Sequence, residues 1–442
     1  MAFATRGTIM AQTAAQAGFD QRQARRAAAS SFVGAVVEWY DFLLYGLVAA
    51  TVFNRQFFAF ESPSMDLLAS FAVLGVGFLF RPLGGLFFGH MGDRLGRKRV
   101  LYLTMTIMGV ATVAIGLLPS FHAVGWWAPV FLVLLRAVQG FAVGGEWGGA
   151  ALLAVENAPR HRRALYSSGV QIGYAVGLVM ATGAVSIMQR IAGEGYEQWG
   201  WRIPFFAAGL LIAVGLWVRS SVYEEPPAAA DKTAELPIIT AIRKHPRAFF
   251  EIIGLRCVEL FSMYIVTTFA VSYASGVLGL DRSFMIDIGL LVGVLGIFFI
   301  PFFAYISDRI GRRRVYVAAS LVAAAAAVPF FLTLQAGSAW GVAITAIILI
   351  NIGHDAVVST QQPLITEMFG KEHRNSGASV GYQVAAALAG GFTPFIATWL
   401  AEVGGGWHLV AAYLIAGALI SAAVAAWVTR EKPLPEDLES EG

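Results

Sequence analysis

Thiols are almost absent: a single cysteine, Cys257, in 442 residues excludes an intramolecular disulfide and any cysteine-rich metal site. Charge is scarce as well. Asp, Glu, Lys and Arg together make up 13% of the chain, about half the share usual in a soluble domain. No nucleotide loop, nucleophile elbow or metal-ligand cluster is found in the sequence, which argues against an enzyme and against any metal or organic cofactor. The first twenty residues lack the continuous apolar run of a cleaved signal peptide and read as a cytoplasmic tail.

What the chain has in excess is apolar surface, 57% of its residues. These residues gather in runs of about 20 or more, each long enough to cross hydrocarbon as a helix. In lipid a backbone must satisfy its own hydrogen bonds, so such runs predict helices rather than strands. Twelve spans are expected, at 31–53, 67–91, 100–118, 127–154, 164–189, 202–219, 248–278, 284–306, 315–335, 340–366, 376–401 and 406–428. Gly and Pro within them are no obstacle, because membrane helices tolerate both.

Basic residues fix the expected orientation. With the N-terminus inside, 24 of the 31 Lys and Arg fall in cytoplasmic segments. Four, Arg55, Arg190, Arg202 and Arg282, fall on the opposite face, and Arg81, Arg136 and Arg256 fall inside spans. That imbalance places both termini in the cytoplasm. It also accounts for the net charge of +3 without a nucleic acid partner.

An internal repeat divides the chain. Gly92-Asp93-Arg94-Leu95-Gly96-Arg97-Lys98-Arg99 follows the second span, and Ser307-Asp308-Arg309-Ile310-Gly311-Arg312-Arg313-Arg314 follows the eighth. Glu156 and Arg163 after the fourth span are echoed by Glu367 and Arg374 after the tenth. The expected organisation is a tail (1–30), a six-helix bundle (31–219), a proline-containing cytoplasmic linker (220–247), a second six-helix bundle (248–428) and a tail (429–442). The fold class is therefore an all-α membrane protein of twelve transmembrane helices in two pseudo-symmetric bundles, a plan that places a site between the halves.

The doubled D-R-x-G-R-[KR]-R loop, with Arg136-Ala137-Val138-Gln139-Gly140 in the fourth span, resembles the major facilitator superfamily. Four further runs narrow the likeness: Glu38-Trp39-Tyr40-Asp41-Phe42, Arg81-Pro82-Leu83-Gly84-Gly85, Gly144-Gly145-Glu146-Trp147-Gly148 and Trp201-Arg202-Ile203-Pro204-Phe205. They are similar to the metabolite:proton symporter family, whose members take up organic acids, proline and betaines. Met263-Tyr264-Ile265-Val266-Thr267, Asn351-Ile352-Gly353-His354-Asp355, Gln361-Gln362-Pro363 and Gly381-Tyr382-Gln383-Val384 resemble the branch that takes up shikimate. The likeness spans roughly residues 22–430. It implies the major facilitator fold, residence in the inner membrane, a small carboxylate as substrate, the proton as coupling ion and a monomer.

Ionisable groups at membrane depth are costly and mark pathways, coupling sites or ion pairs. At the rise of a helix, Asp41 lies about 15 Å from the cytoplasmic end of its span, Glu259 about 16 Å, and Arg81 and Asp355 about 18 Å. All four depths approach the midplane of a core about 30 Å thick. Spacing places Glu38, Asp41 and Tyr45 on one stripe, and Arg256, Glu259, Met263 and Thr267 on another. Asn351, His354, Asp355, Ser359 and Gln362 share a face, as do Arg136, Gln139 and Glu146.

The planar fork of arginine suits a carboxylate. Arg136 is the first candidate anchor, with Arg81 and Arg256 behind it; the alternative is a structural ion pair such as Arg256 with Glu259. Asp41 and Glu259 are the favoured candidate proton carriers, with Glu38, Glu146 and Asp355 behind them, or these acids are permanent partners of the arginines. His354 beside Asp355 is either a substrate and pH-responsive group or a structural histidine. Gln139, Gln171, Asn351, Gln361, Gln362 and Gln383 offer paired donors and acceptors for hydroxyls. Tyr40, Tyr45, Tyr174, Tyr264, Tyr382 and Trp147 offer rings, or else serve as packing between helices.

Asp93, Arg94, Arg97, Asp308, Arg309 and Arg312 are assigned to gating. In that reading Arg94 or Arg97 pairs with Glu156, and Arg309 or Arg312 with Glu367. As topology charges alone they would leave Asp93 and Asp308 unexplained. A uniporter or antiporter, a carrier of another acid or a zwitterion, and a membrane sensor are the rival functions.

Overall fold

The computed structural model describes residues 29–60, 62–95, 97–145, 163–220, 246–368 and 374–428. Among them there is no strand. Twelve helical passages follow one another and match the twelve expected spans. They are α1 (Ala29–Gln56), α2 (Pro63–Leu95), α3 (Arg97–Leu117), α4 (Trp127–Gly144), α5 (Arg163–Ala192) and α6 (Arg202–Ser220). They continue as α7 (246–276), α8 (Arg282–Ile310), α9 (Arg312–Gln335), α10 (339–367), α11 (374–403) and α12 (His408–Val428). Ten of them are long and apolar enough to cross a hydrocarbon core by those measures alone. The chain is a multi-pass membrane protein. The continuation of α4 to residue 154, with Glu146, Trp147 and Glu156, lies outside the described residues.

Local chemistry sets the helix ends. The Asp281 carboxylate accepts the Ser283 N–H at 2.8 Å and caps α8. These hydrogen bonds hold its carboxyl below the usual carboxylate range. Between α8 and α9 the chain turns at Gly311, whose φ of 100° no side-chain-bearing residue adopts readily. Leu210, Trp217, Phe250 and Phe298 present apolar surface on the outside of the bundle, as a lipid-facing helix must.

Four passages widen into π-helical turns: Ala49–Phe53 in α1, Ile265–Phe269 in α7, Ile347–His354 in α10 and Ala386–Gly390 in α11. Such turns occur frequently at functional sites, and here the one in α10 contains Asn351 and His354.

Glycines draw α2 and α4 together. A Cβ on Gly140 would sit 1.7 Å from the Gly77 carbonyl oxygen, and one on Gly144 would sit 2.0 Å from that of Arg81. This small-residue packing lets the backbones meet. It brings the helix bearing Arg81 against the helix bearing Arg136. The two halves meet along α5 and α8, where Gly289, Gly293 and Gly296 face Thr182, Val179 and Ala175. They meet again along α2 and α11, where Phe392 packs on Gly75 and Phe78 on Gly391.

Candidate functional site

Polar side chains gather in the middle of the bundle, and each ionised one there has a named partner. On α1, Asp41 Oδ2 lies 3.4 Å from Arg136 Nη1 of α4. Gln139 Nε2 donates to both Asp41 oxygens at 3.1 and 3.2 Å, and its Oε1 accepts from Arg136 Nη1 at 2.9 Å. Thr112 of α3 completes the ring, 2.6 Å from Asp41 Oδ1. Glu38, one turn before Asp41, lies 3.5 Å from Arg81 Nη1 of α2.

Aromatic rings hold the guanidiniums from the side. Arg136 lies over Phe42 at 4.3 Å and Tyr45 at 4.1 Å; Arg81 lies over Phe42 at 3.9 Å and Phe78 at 4.2 Å. These cation–π contacts strengthen when water is excluded. Arg136 is fully buried.

The second half differs. Arg256 and Glu259 form a two-pronged pair on α7, with Nε and Nη2 each 2.9 Å from a carboxylate oxygen. The remaining Nη1 donates to the Tyr382 carbonyl at 2.7 Å, and the guanidinium lies 3.3 Å over the Tyr382 ring. Gln361 Nε2 adds a bond to Glu259 at 2.8 Å. On α10, Asp355 accepts from Asn351 Nδ2 at 2.8 Å and faces His354 Nδ1 at 3.0 Å. The His354 ring packs on Tyr174 of α5, centroids 4.9 Å apart.

Several buried polar atoms lack a hydrogen-bond partner. Arg136 leaves Nε and Nη2 unbonded, the two N–H groups of one edge of its fork, and Arg81 leaves Nε. The same is true of the Tyr45, Tyr174 and Tyr264 hydroxyls, Gln171 Nε2, Gln362 Nε2, Asn351 Oδ1, and both amide atoms of Gln383. Buried polar groups are nearly always satisfied. This set comes from α1, α2, α4, α5, α7, α10 and α11 and makes these residues the candidates for a binding site. The Tyr264 hydroxyl lies within electrostatic range of Arg81, Arg136, Arg256 and Glu259, which come from both halves.

The structure refines several expectations from sequence. The Arg256–Glu259 alternative is the arrangement found, so every edge of Arg256 is occupied. Gln139 spends its amide on Asp41, Thr112 and Arg136 rather than on a free hydroxyl-reading position. The Tyr40 hydroxyl donates to the Pro204 carbonyl at 2.8 Å and ties α1 to α6. Thr112, Phe42 and Phe78 were not singled out from the sequence.

Of the gating candidates, Asp308 stands at an inter-half contact. Its two carboxylate oxygens accept the backbone N–H groups of Ala164 and Leu165, at 3.2 and 3.0 Å, in the first turn of α5. Negative charge is favoured at that end of a helix. Arg312 lies 3.5 Å from Asp308, and Arg309 lies over the Tyr305 ring at 4.2 Å. The side chains of Asp93, Arg94, Arg97 and Glu367, and with them the proposed pairings to Glu156 and Glu367, lie outside the described residues. At the other end of the same helices, Arg190 Nη2 lies 3.3 Å from Asp287 Oδ2, and Ser186 donates to Asp287 at 3.2 Å.

Comparison with known proteins agrees with the architecture. The profile of the Major Facilitator Superfamily matches residues 31–382 and 289–442. The chain is 56% identical over 413 residues to the shikimate transporter of Escherichia coli (strain K12), covering 91% of this chain and 94% of that one. It is 33% identical to the proline/betaine transporter of Salmonella typhimurium (strain LT2), covering 91% and 82%. Among solved structures, the xylose transporter XylE of E. coli in a partially occluded, inward-open conformation superposes with a TM-score of 0.76 at 16% identity, covering 93% of this chain and 100% of that one. By the profile match over most of its length and the 56% identity to a relative of nearly equal length, this chain belongs to the major facilitator superfamily.

Proposed function

We propose that this protein imports shikimate or a closely related hydroaromatic carboxylate across the inner membrane, together with a proton, by alternating access. The observation that carries the reading is the open edge of Arg136. Its Nε and Nη2 are buried without partners, whereas the same edge of Arg256 is filled by Glu259. An arginine edge of this kind takes a carboxylate through two parallel charge-assisted bonds. The 56% identity to a shikimate transporter supports the ring-bearing acid as the substrate class. The amides of Gln171, Gln362 and Gln383 and the hydroxyls of Tyr174 and Tyr264 supply donors and acceptors for its ring hydroxyls.

Charge balance supplies the coupling. Arg136 shares one positive charge with Asp41. A substrate carboxylate on the open edge would leave two negative charges against one positive in a site that excludes water, which is costly. Protonation of Asp41 removes the excess. Substrate and proton therefore bind together and leave together. Glu38 and Arg81 keep their neighbouring charges matched, and in the other half Asp355 lies 3.0 Å from His354.

Both termini lie in the cytoplasm in this reading, bundles 31–219 and 248–428 rock about the centre, and the chain works as a monomer. Asp308 closes the cytoplasmic side. Uptake of labelled shikimate into proteoliposomes under an imposed inward proton gradient tests the proposal. Accumulation that collapses with a protonophore is the expected result. Gradient-independent uptake would refute symport, and strong uptake of a different acid with none of shikimate would refute the substrate.

A further inference from the structure

The carboxylate of Asp41 has a partner that charge alone does not explain. Thr112 lies on α3, is fully buried, and stands within hydrogen-bond distance of two acceptors: Asp41 Oδ1 at 2.6 Å and the Met108 carbonyl one turn back at 2.8 Å. It also accepts from Gln139 Nε2 at 2.7 Å. A hydroxyl carries one hydrogen and two acceptor sites. It can donate to Asp41 or to Met108, not to both at once.

We propose that Thr112 is a positioning residue for proton coupling, a hydroxyl that turns between Asp41 and the Met108 carbonyl as Asp41 loses and gains its proton. The proposal rests on the reading of Asp41 as the proton carrier. When Asp41 is ionised, Thr112 donates to Oδ1 and supports the negative charge. When the proton arrives on Oδ1, that O–H donates to the Thr112 oxygen, and the Thr112 hydrogen turns to Met108. Gln139 keeps its bond to Thr112 throughout. Neither Asp41 Oδ1 nor the Thr112 hydroxyl is orphaned in either state, and an orphaned group would carry a substantial penalty.

The groups around Asp41 make this hydroxyl matter. Arg136 from α4 lies at 3.4 Å and Arg81 from α2 is within electrostatic range; the titratable groups beside Asp41 on α1 are Glu38, paired with Arg81, Tyr45, whose ring lies under Arg136, and Tyr40, its hydroxyl committed to Pro204. The arginines favour the ionised form in every state in which they stay near. Thr112 is the neighbour that can serve both forms. Thr→Val keeps the shape and removes the hydroxyl; Thr→Ser keeps the hydroxyl.

The test measures proton-driven shikimate uptake against external pH in proteoliposomes, alongside substrate exchange at symmetric pH, for wild type, Thr112→Val, Thr112→Ser and Asp41→Asn. Thr112→Val removes a partner from both forms, but a hydrogen bond to a charged group is worth more than one between neutral groups, so the loss favours the protonated form. For Thr112→Val the pH of half-maximal uptake is expected to rise by about one unit, with exchange retained and net uptake slowed several-fold. Thr112→Ser should restore the wild-type profile. A wild-type profile for Thr112→Val, with Asp41→Asn uncoupled, overturns the role of Thr112 alone. Proton-driven uptake that survives Asp41→Asn overturns the underlying reading of Asp41.

Discussion

Arg256 grips Glu259 through two parallel bonds of 2.9 Å, one turn apart on the same helix. Arg136 touches Asp41 through a single nitrogen at 3.4 Å. The first pair is closed on itself and the second is left open. On the proposed reading the first pair is architecture and the second carries traffic, which makes the two arginines experimentally separable.

Replacing Arg136 with lysine keeps the charge and loses the fork. Lysine can make one charge-assisted bond where the fork makes two, and the lost one is worth about 1.5–3 kcal/mol, so shikimate should bind at least about tenfold more weakly to Arg136→Lys. Calorimetry on purified protein measures this directly. Affinity within threefold of wild type would remove Arg136 as the anchor.

Arg256→Met leaves Glu259 buried and charged without its partner. Breaking such a pair costs about 3–5 kcal/mol, while removing both charges is milder. The double variant Arg256→Met/Glu259→Met should therefore melt at a higher temperature than Arg256→Met alone. Detergent-solubilised thermal unfolding gives the comparison, and additive losses would contradict it.

Gly77 bears on Arg136 from α2. A Cβ there would stand 2.9 Å from Arg136 Nε and 3.2 Å from its Cγ. Gly77→Ala should weaken substrate binding about tenfold, roughly the 1.4 kcal/mol of a displaced charged hydrogen bond, in a protein that still folds. Gly140→Ala meets backbone instead, 1.7 Å from the Gly77 carbonyl, and should fail to accumulate in the membrane. Equal behaviour of the two variants in a binding and expression assay would count against the distinction.

Asp308 accepts two N–H groups at the start of α5. Asp308→Asn removes the negative charge and one acceptor, which should favour the state in which this end of α5 and α8 has separated. With Cys257 replaced by serine, a cysteine placed at Leu165 reports the change. Its labelling by an impermeant maleimide from the cytoplasmic side should rise several-fold in Asp308→Asn. Unchanged labelling would show that the contact does not hold the gate.

The twelve helices were legible because hydrocarbon imposes a length and an apolar composition that few other environments demand. Asp41 and Arg136 were legible for a related reason: charge at membrane depth is too expensive to be incidental. Thr112 was not. A threonine in an apolar helix carries no charge and no period, and only the packing of α3 against α1 and α4 reveals its partner. Phe42 and Phe78 look like ordinary membrane residues until the two guanidiniums are seen lying on them. The Asp308 contact was partly hidden too, since its partners are backbone N–H groups and leave no mark on side-chain pattern. For Arg256 the sequence held both alternatives, and only the distances separate them.

Asp287 with Arg190 at one end of α5 and α8, and Asp308 with Ala164 and Leu165 at the other, fasten the same two helices twice. Each clasp has an acid on α8 and a donor on α5, but Arg190 and Asp287 are 71% and 45% exposed, where an ion pair is worth little, whereas Asp308 is nearly buried and accepts two backbone N–H groups. Under the proposed alternating access the Asp308 clasp is then the costlier one to open. Direction in that reading comes from the concentrations of acid and proton on the two sides, and reversing those gradients should make the carrier run backwards.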